Sequence, residues 1–163
     1  MDLAPFRKRY GRFPLEHRDW PVDAGEFAAF AKRGRDPSGA AALVWNKDRS
    51  ILLVRERSAL RWATPGGFAE RGETPEECVL REVQEEAGVE VRISGLTKVV
   101  VCHVAVGGQE LAYTFFQFEA DHVRGRPQPG AEIGEAAWFD RLPDDLHFRA
   151  DYVEVWLRGR PTV

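Results

Sequence analysis

The sequence predicts an α/β fold in which a mixed β-sheet packs against helices. Runs of β-branched and aromatic residues come in pairs that polar turns connect, as in β-hairpins. A helix with clear start and stop signals lies between the pairs. Strands and helices do not alternate regularly, which favours a mixed sheet over a doubly wound parallel sheet. At roughly 100 to 200 residues per domain, a chain of 163 residues predicts one domain.

Five segments are expected to form strands. Residues 40–45 and 51–54 are apolar and flank a polar turn, which predicts a first hairpin. Residues 98–106 and 111–118 are expected to form a second, longer hairpin around a Gly-Gly turn. A short strand is expected at 137–139. A last helix is expected from apolar residues at helical spacing, namely Phe148, Tyr152, Val155 and Trp156.

The central helix is expected at residues 75–87. Thr74 is a suitable N-cap, Pro75 fits the first helical position, and Glu77 completes a capping box. Gly88 is a natural stop, because helices commonly end in a left-handed residue. The helical period places four apolar side chains in one stripe: Val79, Leu80, Val83 and Ala87.

The composition excludes several classes of protein. With 44% apolar and 30% charged residues, a net charge of −3 and a pI near 5.9, the chain is not disordered, collagen-like or a coiled coil. No stretch approaches the ~18 apolar residues of a membrane span, and charges interrupt the first residues where a secretory signal would be apolar. We therefore expect a cytoplasmic protein with no membrane partner. Cys78 and Cys102 are expected to be small buried residues, and the histidines show no metal-binding spacing.

Acidic residues concentrate in one short segment. Residues 67–89 contain seven Glu and two Arg. On the expected helix, Glu82, Glu85 and Glu86 lie on the face next to the apolar stripe, where they repel one another and oppose the helix dipole. Divalent cations such as Mg²⁺ would resolve this repulsion, because they bind carboxylate oxygens. The alternative is a solvated acidic face, as most charge runs are.

A glycine pair precedes this helix. Gly66 and Gly67 offer a tight loop whose backbone can approach a ligand and whose carbonyls can face a cation. Counting from Gly67, Glu73 follows after five intervening residues, and Arg81-Glu82-Val83-Gln84-Glu85-Glu86-Ala87-Gly88-Val89 follows after seven more. These 23 residues match every fixed position of the Nudix box, so the chain closely resembles a Nudix hydrolase.

The resemblance extends beyond the box. The paired strands before it, the long hairpin after it and the stretch 132–139 follow the usual Nudix order, so the resemblance spans roughly residues 38–160. It implies a Nudix-like α/β/α sandwich with a mixed β-sheet. It also divides the chain into an N-terminal extension at 1–37, to which it assigns no role, and a Nudix hydrolase domain at 38–163.

The resemblance implies a Mg²⁺-dependent hydrolase, with Mn²⁺ as a substitute metal, that cleaves the pyrophosphate bond of a nucleoside diphosphate joined to another group. Such a bond carries several negative charges, so attack by water needs cations to neutralise them. The implied metal ligands are the side chains of Glu82, Glu85 and Glu86 and the carbonyl of Gly66. Glu73 and Arg81 are implied to form an ion pair that orients these glutamates, although a plain surface salt bridge is the alternative. The implied partner is a small-molecule nucleotide, and a homodimer is a further expectation.

The general base is left open by the sequence. A carboxylate near the metal could take the proton from water. Glu82 and Glu85 are candidates on the helix, and Glu132 and Glu135 are candidates in the loop before Trp138. Of the two loop residues, we prefer Glu135.

Other residues could contact the substrate. Three arginines ahead of the box could bind its phosphates or could be solvated loop charges: Arg55, Arg57 and Arg61. Three aromatic residues could stack on a base or could belong to the core: Trp62, Phe68 and Tyr113.

Two substrate classes compete within the enzyme hypothesis. One is nucleoside diphosphate sugars such as ADP-ribose, and the other is nucleoside triphosphates, including oxidised ones. Many ADP-ribose hydrolases carry a proline about fifteen residues after the box, but residues 100–106 read VVCHVAV. A different hypothesis is a non-catalytic Nudix fold that binds or senses nucleotides. Such domains typically lose box glutamates, whereas all of them are present here.

The N-terminal extension has its own alternatives. Residues 6–13 interleave basic and aromatic side chains, as single-strand nucleic-acid binders do. The nearby acids Glu16 and Asp19 and the overall acidity argue against a nucleic-acid partner. We therefore expect an arm that is mobile or that packs against the domain or a partner subunit.

Overall fold

The computed structural model describes residues 1–34 and 37–159. Its helices are α1 (Ala4–Tyr10), α2 (Ala24–Ala31), α3 (Pro75–Ala87) and α4 (Arg149–Gly159). Its strands are β1 (Leu15–Asp19), β2 (Ser38–Trp45), β3 (Ile51–Glu56), β4 (Gly66–Phe68), β5 (Glu90–Val106), β6 (Gln109–Arg124) and β7 (Ile133–Phe139).

The described strands form one seven-stranded sheet with the order β1-β5-β6-β2-β3-β7, and β4 pairs with β2. Two pairings are parallel, β1 with β5 and β2 with β6, and the others are antiparallel. The prediction of a mixed sheet is therefore confirmed. Both predicted hairpins are present, and the second is longer than predicted, because β5 and β6 continue past charged and glycine residues through register shifts.

Helices cover both faces of this sheet, as the predicted α/β/α sandwich requires. On one face, α3 buries Val79 and Val83 against Phe116 and Phe118 of β6. On the other face, α4 packs on β2 and β3, with apolar contacts between them. The rings of Trp45 and Trp156 are 5.3 Å apart between their centroids.

Helix α3 has the predicted bounds and caps. Thr74 and Glu77 form the capping box, and Gly88 ends the helix at a φ of 67°. One apolar position was predicted wrongly: Leu80 is 40% exposed, whereas Cys78 is buried in its place. The helix is rotated so that the stripe centres on Val79 and Val83, and Leu80 then lies at its solvent edge. In α4, Tyr152, Val155 and Trp156 are buried as predicted, but Phe148 precedes the helix and is 44% exposed.

Residues 1–34 pack against the domain. The α1 side chains Phe6 and Tyr10 contact Phe116 and Phe118, with ring centroids 4.8 Å and 5.8 Å apart. Strand β1 extends the sheet beside β5, and α2 places Phe30 against the opposite face. This segment therefore reaches both faces of the sheet.

In the described part of the chain, no helix is long and apolar enough to cross a membrane.

Candidate active site

The glycine loop of β4 lies directly against α3. The Gly66 N–H donates a hydrogen bond to Glu86 Oε2 at 2.9 Å. A Cβ atom on Gly66 would lie 2.4 Å from the Ala40 carbonyl oxygen, and one on Gly67 would lie 2.6 Å from Glu82 Oε1. Real Cβ atoms are almost never that close to other atoms. Glycine at 67 therefore lets the loop backbone approach the Glu82 carboxylate, and glycine at 66 lets the loop lie close against β2.

Arg81 holds three of the acidic side chains in place. Its Nε and Nη2 atoms donate to the two oxygens of Glu73 at 2.8 Å and 2.9 Å, which is a bidentate pair. Its Nη1 atom donates to Glu82 Oε1 at 2.9 Å and to Glu85 Oε2 at 3.0 Å. The expected Glu73–Arg81 ion pair is thus present, and hydrogen bonds from Arg81 are the main cause of the lowered pKa of Glu73.

The ionised forms of two α3 carboxylates, Glu82 and Glu86, are disfavoured. Burial raises the pKa of Glu86 to about 7, and the charges of Glu82, Glu56 and Glu132 add to that rise, while the bond from Gly66 opposes it. Burial also raises the pKa of Glu82, partly offset by Arg81. Carboxylates whose ionised form is disfavoured in this way are stabilised by a bound cation.

These carboxylates face an open cleft of about 1300 Å³. The acidic side chains that line it are Glu56, Glu70, Glu82, Glu86 and Glu132. Besides Arg81, the basic side chains that line it are Lys32, Arg33 and Arg71, which form its basic rim. The acids suit a hard divalent cation, and the basic side chains suit phosphate oxygens. As these side chains stand, no three acidic, histidine or cysteine groups within residues 1–34 and 37–159 converge on one metal position. Arg81 bridges Glu73, Glu82 and Glu85 instead.

Comparison with known proteins identifies the family. The family model described as "NUDIX domain" matches residues 35–153. The chain belongs to the Nudix family. It is 31% identical to an ADP-ribose pyrophosphatase of Methanocaldococcus jannaschii over 145 residues, which are 85% of this chain and 78% of that protein. It is 34% identical to a NAD-capped RNA hydrolase NudC of Vibrio vulnificus over 142 residues, which are 82% of this chain and 50% of that protein.

A solved structure described as a UDP-X diphosphatase aligns with a TM-score of 0.60 at 28% identity. The alignment covers 85% of this Nudix chain and 71% of that one. The chain spans about half the length of two of the curated relatives that it matches, at 48% and 50%.

The structure separates the candidate Nudix residues into those that line the cleft and those that do not. Glu82 and Glu86 line it, and Gly66 and Glu132 lie beside them. The Glu85 carboxylate is 59% exposed and turns toward Arg81. Glu135 forms an ion pair with Arg55 on the exposed strand edge and is not part of the cleft wall.

The other candidate contacts are also dispersed. The Arg55 guanidinium stacks on Trp62, 4.8 Å from the ring centroid, and Arg57 donates to the Ala131 carbonyl at 3.1 Å. Trp62 and Tyr113 are buried in the apolar core, as the alternative interpretation stated. Phe68 lies at the cleft, with the Arg33 guanidinium 3.7 Å from its ring centroid.

Sequence reasoning missed several residues of this cleft, among them Lys32, Arg33 and Glu56. The first two follow α2 in the segment before the Nudix match, so they reach the cleft from outside the motif. Nothing in the sequence indicates where this basic pair would dock. Glu56 occupies a strand position without a motif.

Proposed function

We propose that this Nudix protein is a divalent-metal-dependent pyrophosphohydrolase that cleaves the pyrophosphate bond of a nucleoside diphosphate linked to another group. One observation carries the proposal: partly buried carboxylates of α3 face a basic rim across a single cleft. The names of the relatives support the substrate class. ADP-ribose, an NAD cap and UDP-X each contain a nucleoside diphosphate joined to a further group.

Nudix hydrolases generally use divalent metal ions, and we propose Mg²⁺, with Mn²⁺ as a substitute. The ligands would be Glu82, Glu85 and Glu86 with the Gly66 carbonyl, and Glu85 would have to exchange its bond to Arg81 for the metal. The donor set is made of oxygen atoms, and burial disfavours the ionised form of Glu86 when no cation is bound, which fits a hard cation. When bound, the cation neutralises phosphate oxygens and makes the attacking water more acidic.

The side chains of the protein then perform separate tasks. Arg81 keeps Glu82 oriented, with Glu73 fixing the guanidinium from the other side. Lys32, Arg33 and Arg71 bind the non-bridging oxygens of the diphosphate from the basic rim. These contacts position the phosphorus atom for in-line attack by water.

We propose Glu132, rather than Glu135, as the loop carboxylate that accepts the proton of the attacking water. Glu132 lines the cleft and is close enough to Glu86 to help raise its pKa. Glu135 is paired with Arg55 outside the cleft. Geometry decides first between candidate bases, because a base must reach the proton that it removes.

Of the two substrate classes, we propose nucleoside diphosphate sugars rather than nucleoside triphosphates. The missing proline after the box lowers the expectation for ADP-ribose itself, but the relatives support the wider class of linked nucleoside diphosphates. A cytoplasmic location and a homodimer stay predictions, which fractionation and light scattering would check.

A substrate panel tests the proposal. The purified full chain is incubated with Mg²⁺ and with ADP-ribose, a UDP-sugar, NAD or dGTP, and the products are separated. A nucleoside monophosphate plus a phosphorylated second group supports the proposal. If dGTP is the only compound that is hydrolysed, giving a nucleoside monophosphate and pyrophosphate, the proposed class of linked nucleoside diphosphates is contradicted. Binding of these compounds without metal-dependent hydrolysis would instead support a nucleotide sensor.

A further inference from the structure

The loop that connects β6 to β7, residues 125–132, lies against the end of α3. The Gln128 N–H donates a hydrogen bond to the Ala87 carbonyl at 2.9 Å, and the Gly130 N–H donates to the Glu86 carbonyl at 3.1 Å. Carbonyls in the last turn of a helix have no partner within the helix, so the loop supplies partners that α3 itself lacks. The end of α3 that bears Glu86 is thereby joined to this loop.

The loop is closest to the helix at Gly130. A Cβ atom at this position would overlap the Glu85 carbonyl oxygen and would lie 3.0 Å from the Glu85 carbonyl carbon. Any side chain would therefore force the loop away from the helix. Glycine keeps the backbone before Glu132 in direct contact with the turn that carries two of the proposed metal ligands.

Arg57 holds the same loop from the side of β3. Its N–H donates to the Glu132 carbonyl at 3.1 Å, and its Nε atom donates to the Ala131 carbonyl, also at 3.1 Å. The next residue, Ile133, is 1% exposed and packs in the core. The backbone on both sides of Glu132 is therefore fixed, although Glu132 itself is exposed at the cleft.

Arg57 belongs to this loop anchor and not to the basic rim. It is not among the described residues that line the cleft, whereas the rim arginines Arg33 and Arg71 are. A base must be within hydrogen-bond reach of the proton that it removes, and a misplacement of about 1 Å can slow a reaction on the order of 100-fold. A bond that fixes the backbone next to Glu132 can therefore control the rate without a contact to the substrate.

We propose that Arg57 is a positioning residue, whose Nε–H holds the Ala131 carbonyl and so keeps the Glu132 carboxylate directed at the cleft. This proposal rests on the proposed function, because it needs Glu132 to accept the proton of the attacking water. A phosphate contact or a solvated loop charge would make only the charge of Arg57 matter. The positioning role instead depends on its hydrogen-bond donor.

Three variants separate the donor from the charge. In Arg57→Gln, the amide nitrogen lies as many bonds from the backbone as the arginine Nε, so the donor is kept and the charge is lost. In Arg57→Met, the side chain has a similar length but neither donor nor charge. Arg55→Met is the matched control, because Arg55 is two residues away and forms its ion pair with Glu135 outside the cleft.

The kinetic test uses the fastest compound of the panel above with Mg²⁺. We expect Arg57→Met to lower kcat about tenfold with little change in KM. The loss should be smaller than that of Glu132→Gln, because the backbone bond from Arg57 to the loop remains. Arg57→Gln and Arg55→Met should keep near-normal turnover. In a Glu132→Gln background, Arg57→Met should have no further effect, because no base is left to position.

Hydrogen exchange gives a second measurement that does not depend on turnover. Within the loop, the Ile133 N–H donates to the Gly130 carbonyl at 3.2 Å. Arg57→Met should therefore speed the exchange of amides in residues 128–133, as mass spectrometry measures it, whereas Arg57→Gln and Arg55→Met should not. Faster exchange throughout the chain would show a general loss of stability and would refute the proposal.

The outcomes distinguish this proposal from the proposed function. If the wild type hydrolyses no compound of the panel with Mg²⁺, the proposed function fails and the positioning role fails with it. If the wild type is active and Glu132→Gln is equally active, the hydrolase stands, but the positioning role is refuted because it has no base to act on.

Three further results would overturn the role of Arg57 alone. The first is an equal loss of turnover in Arg57→Gln and Arg57→Met, because the charge and not the donor would then matter. The second is a double variant in which the losses of Arg57→Met and Glu132→Gln multiply, since the two residues would then act independently. The third is an Arg57→Met variant whose turnover and loop exchange match those of Arg55→Met.

Discussion

Gly67→Ala is expected to reduce turnover strongly and stability little. The added Cβ would lie 2.6 Å from Glu82 Oε1 and 2.8 Å from Glu82 Cδ, whereas ordinary contact begins near 3.4 Å. The carboxylate must therefore move by roughly 0.8 Å to relieve the overlap. The atoms that must move are the end of a side chain, so the backbone of β4 and α3 can stay in place.

That movement should affect catalysis because Glu82 is held in place by Arg81. Its Oε1 atom accepts from Arg81 Nη1 at 2.9 Å, and Arg81 also fixes Glu73 and Glu85. Displacing Glu82 therefore disturbs the whole set of carboxylates. A misplacement of about 1 Å can cost on the order of 100-fold in rate, and we expect a decrease in kcat of that size.

The assay is steady-state hydrolysis of the best panel substrate with saturating Mg²⁺, together with a thermal melt. Gly95→Ala is the matched control, because the nearest atom to its added Cβ would be Glu119 Oε2 at 3.8 Å, in ordinary contact. The control should keep normal turnover and a similar Tm. If Gly67→Ala keeps near-normal turnover, the reasoning is refuted. It is also refuted if turnover falls only because an equally large fraction of the protein is unfolded.

Three other predictions concern the acidic residues. Glu86→Gln should lower Mg²⁺-dependent kcat by orders of magnitude while the chain stays folded, as measured by hydrolysis and far-UV circular dichroism, because it removes a proposed metal ligand. Glu132→Gln should lower kcat about 100-fold or more, whereas Glu135→Gln should keep near-normal turnover, because only Glu132 faces the cleft. Asp151→Asn should lower the free energy of unfolding by about 1–3 kcal/mol at pH 7, as measured by urea denaturation, because it breaks a partly buried pair with Arg18. That difference should disappear as the pH falls through the lowered pKa of Asp151 in the folded state.

The pH dependence follows from the pKa of Asp151. Burial alone would raise this pKa, but hydrogen bonds from Arg18 and the charge of Lys98 outweigh burial and hold it below its ordinary value near 3.8. The ionised carboxylate therefore stabilises the fold above the ordinary pKa, and this contribution is lost as the pH falls through the lower pKa of the folded state. If the difference in the free energy of unfolding between Asp151→Asn and the wild type stayed constant from pH 7 to acid pH, this account would be contradicted.

The other two predictions have their own refuting outcomes. Normal turnover of Glu86→Gln would contradict the first, and equal turnover of the Glu132 and Glu135 variants would contradict the second.

Local interactions made the central helix and its neighbourhood predictable. The capping box of Thr74 and Glu77, the stop at Gly88 and the spacing of the α3 glutamates all act within a few residues of chain. The pairing of Glu73 with Arg81 also joins positions close in sequence, so the motif implied it. Leu80 was placed wrongly, because the rotation of the helix on the sheet depends on the strands beneath it.

The sequence by itself determined the family, the α3 helix, the acidic cluster and the glycine loop, since their geometry depends on hydrogen bonds and sterics between near neighbours. The tertiary structure alone decided which acids face the cleft and that the residues after α2, Lys32 and Arg33, reach it. These features depend on strand register and on packing between distant segments. No local pattern encodes such contacts, because each is the result of the whole sheet and its helices folding together.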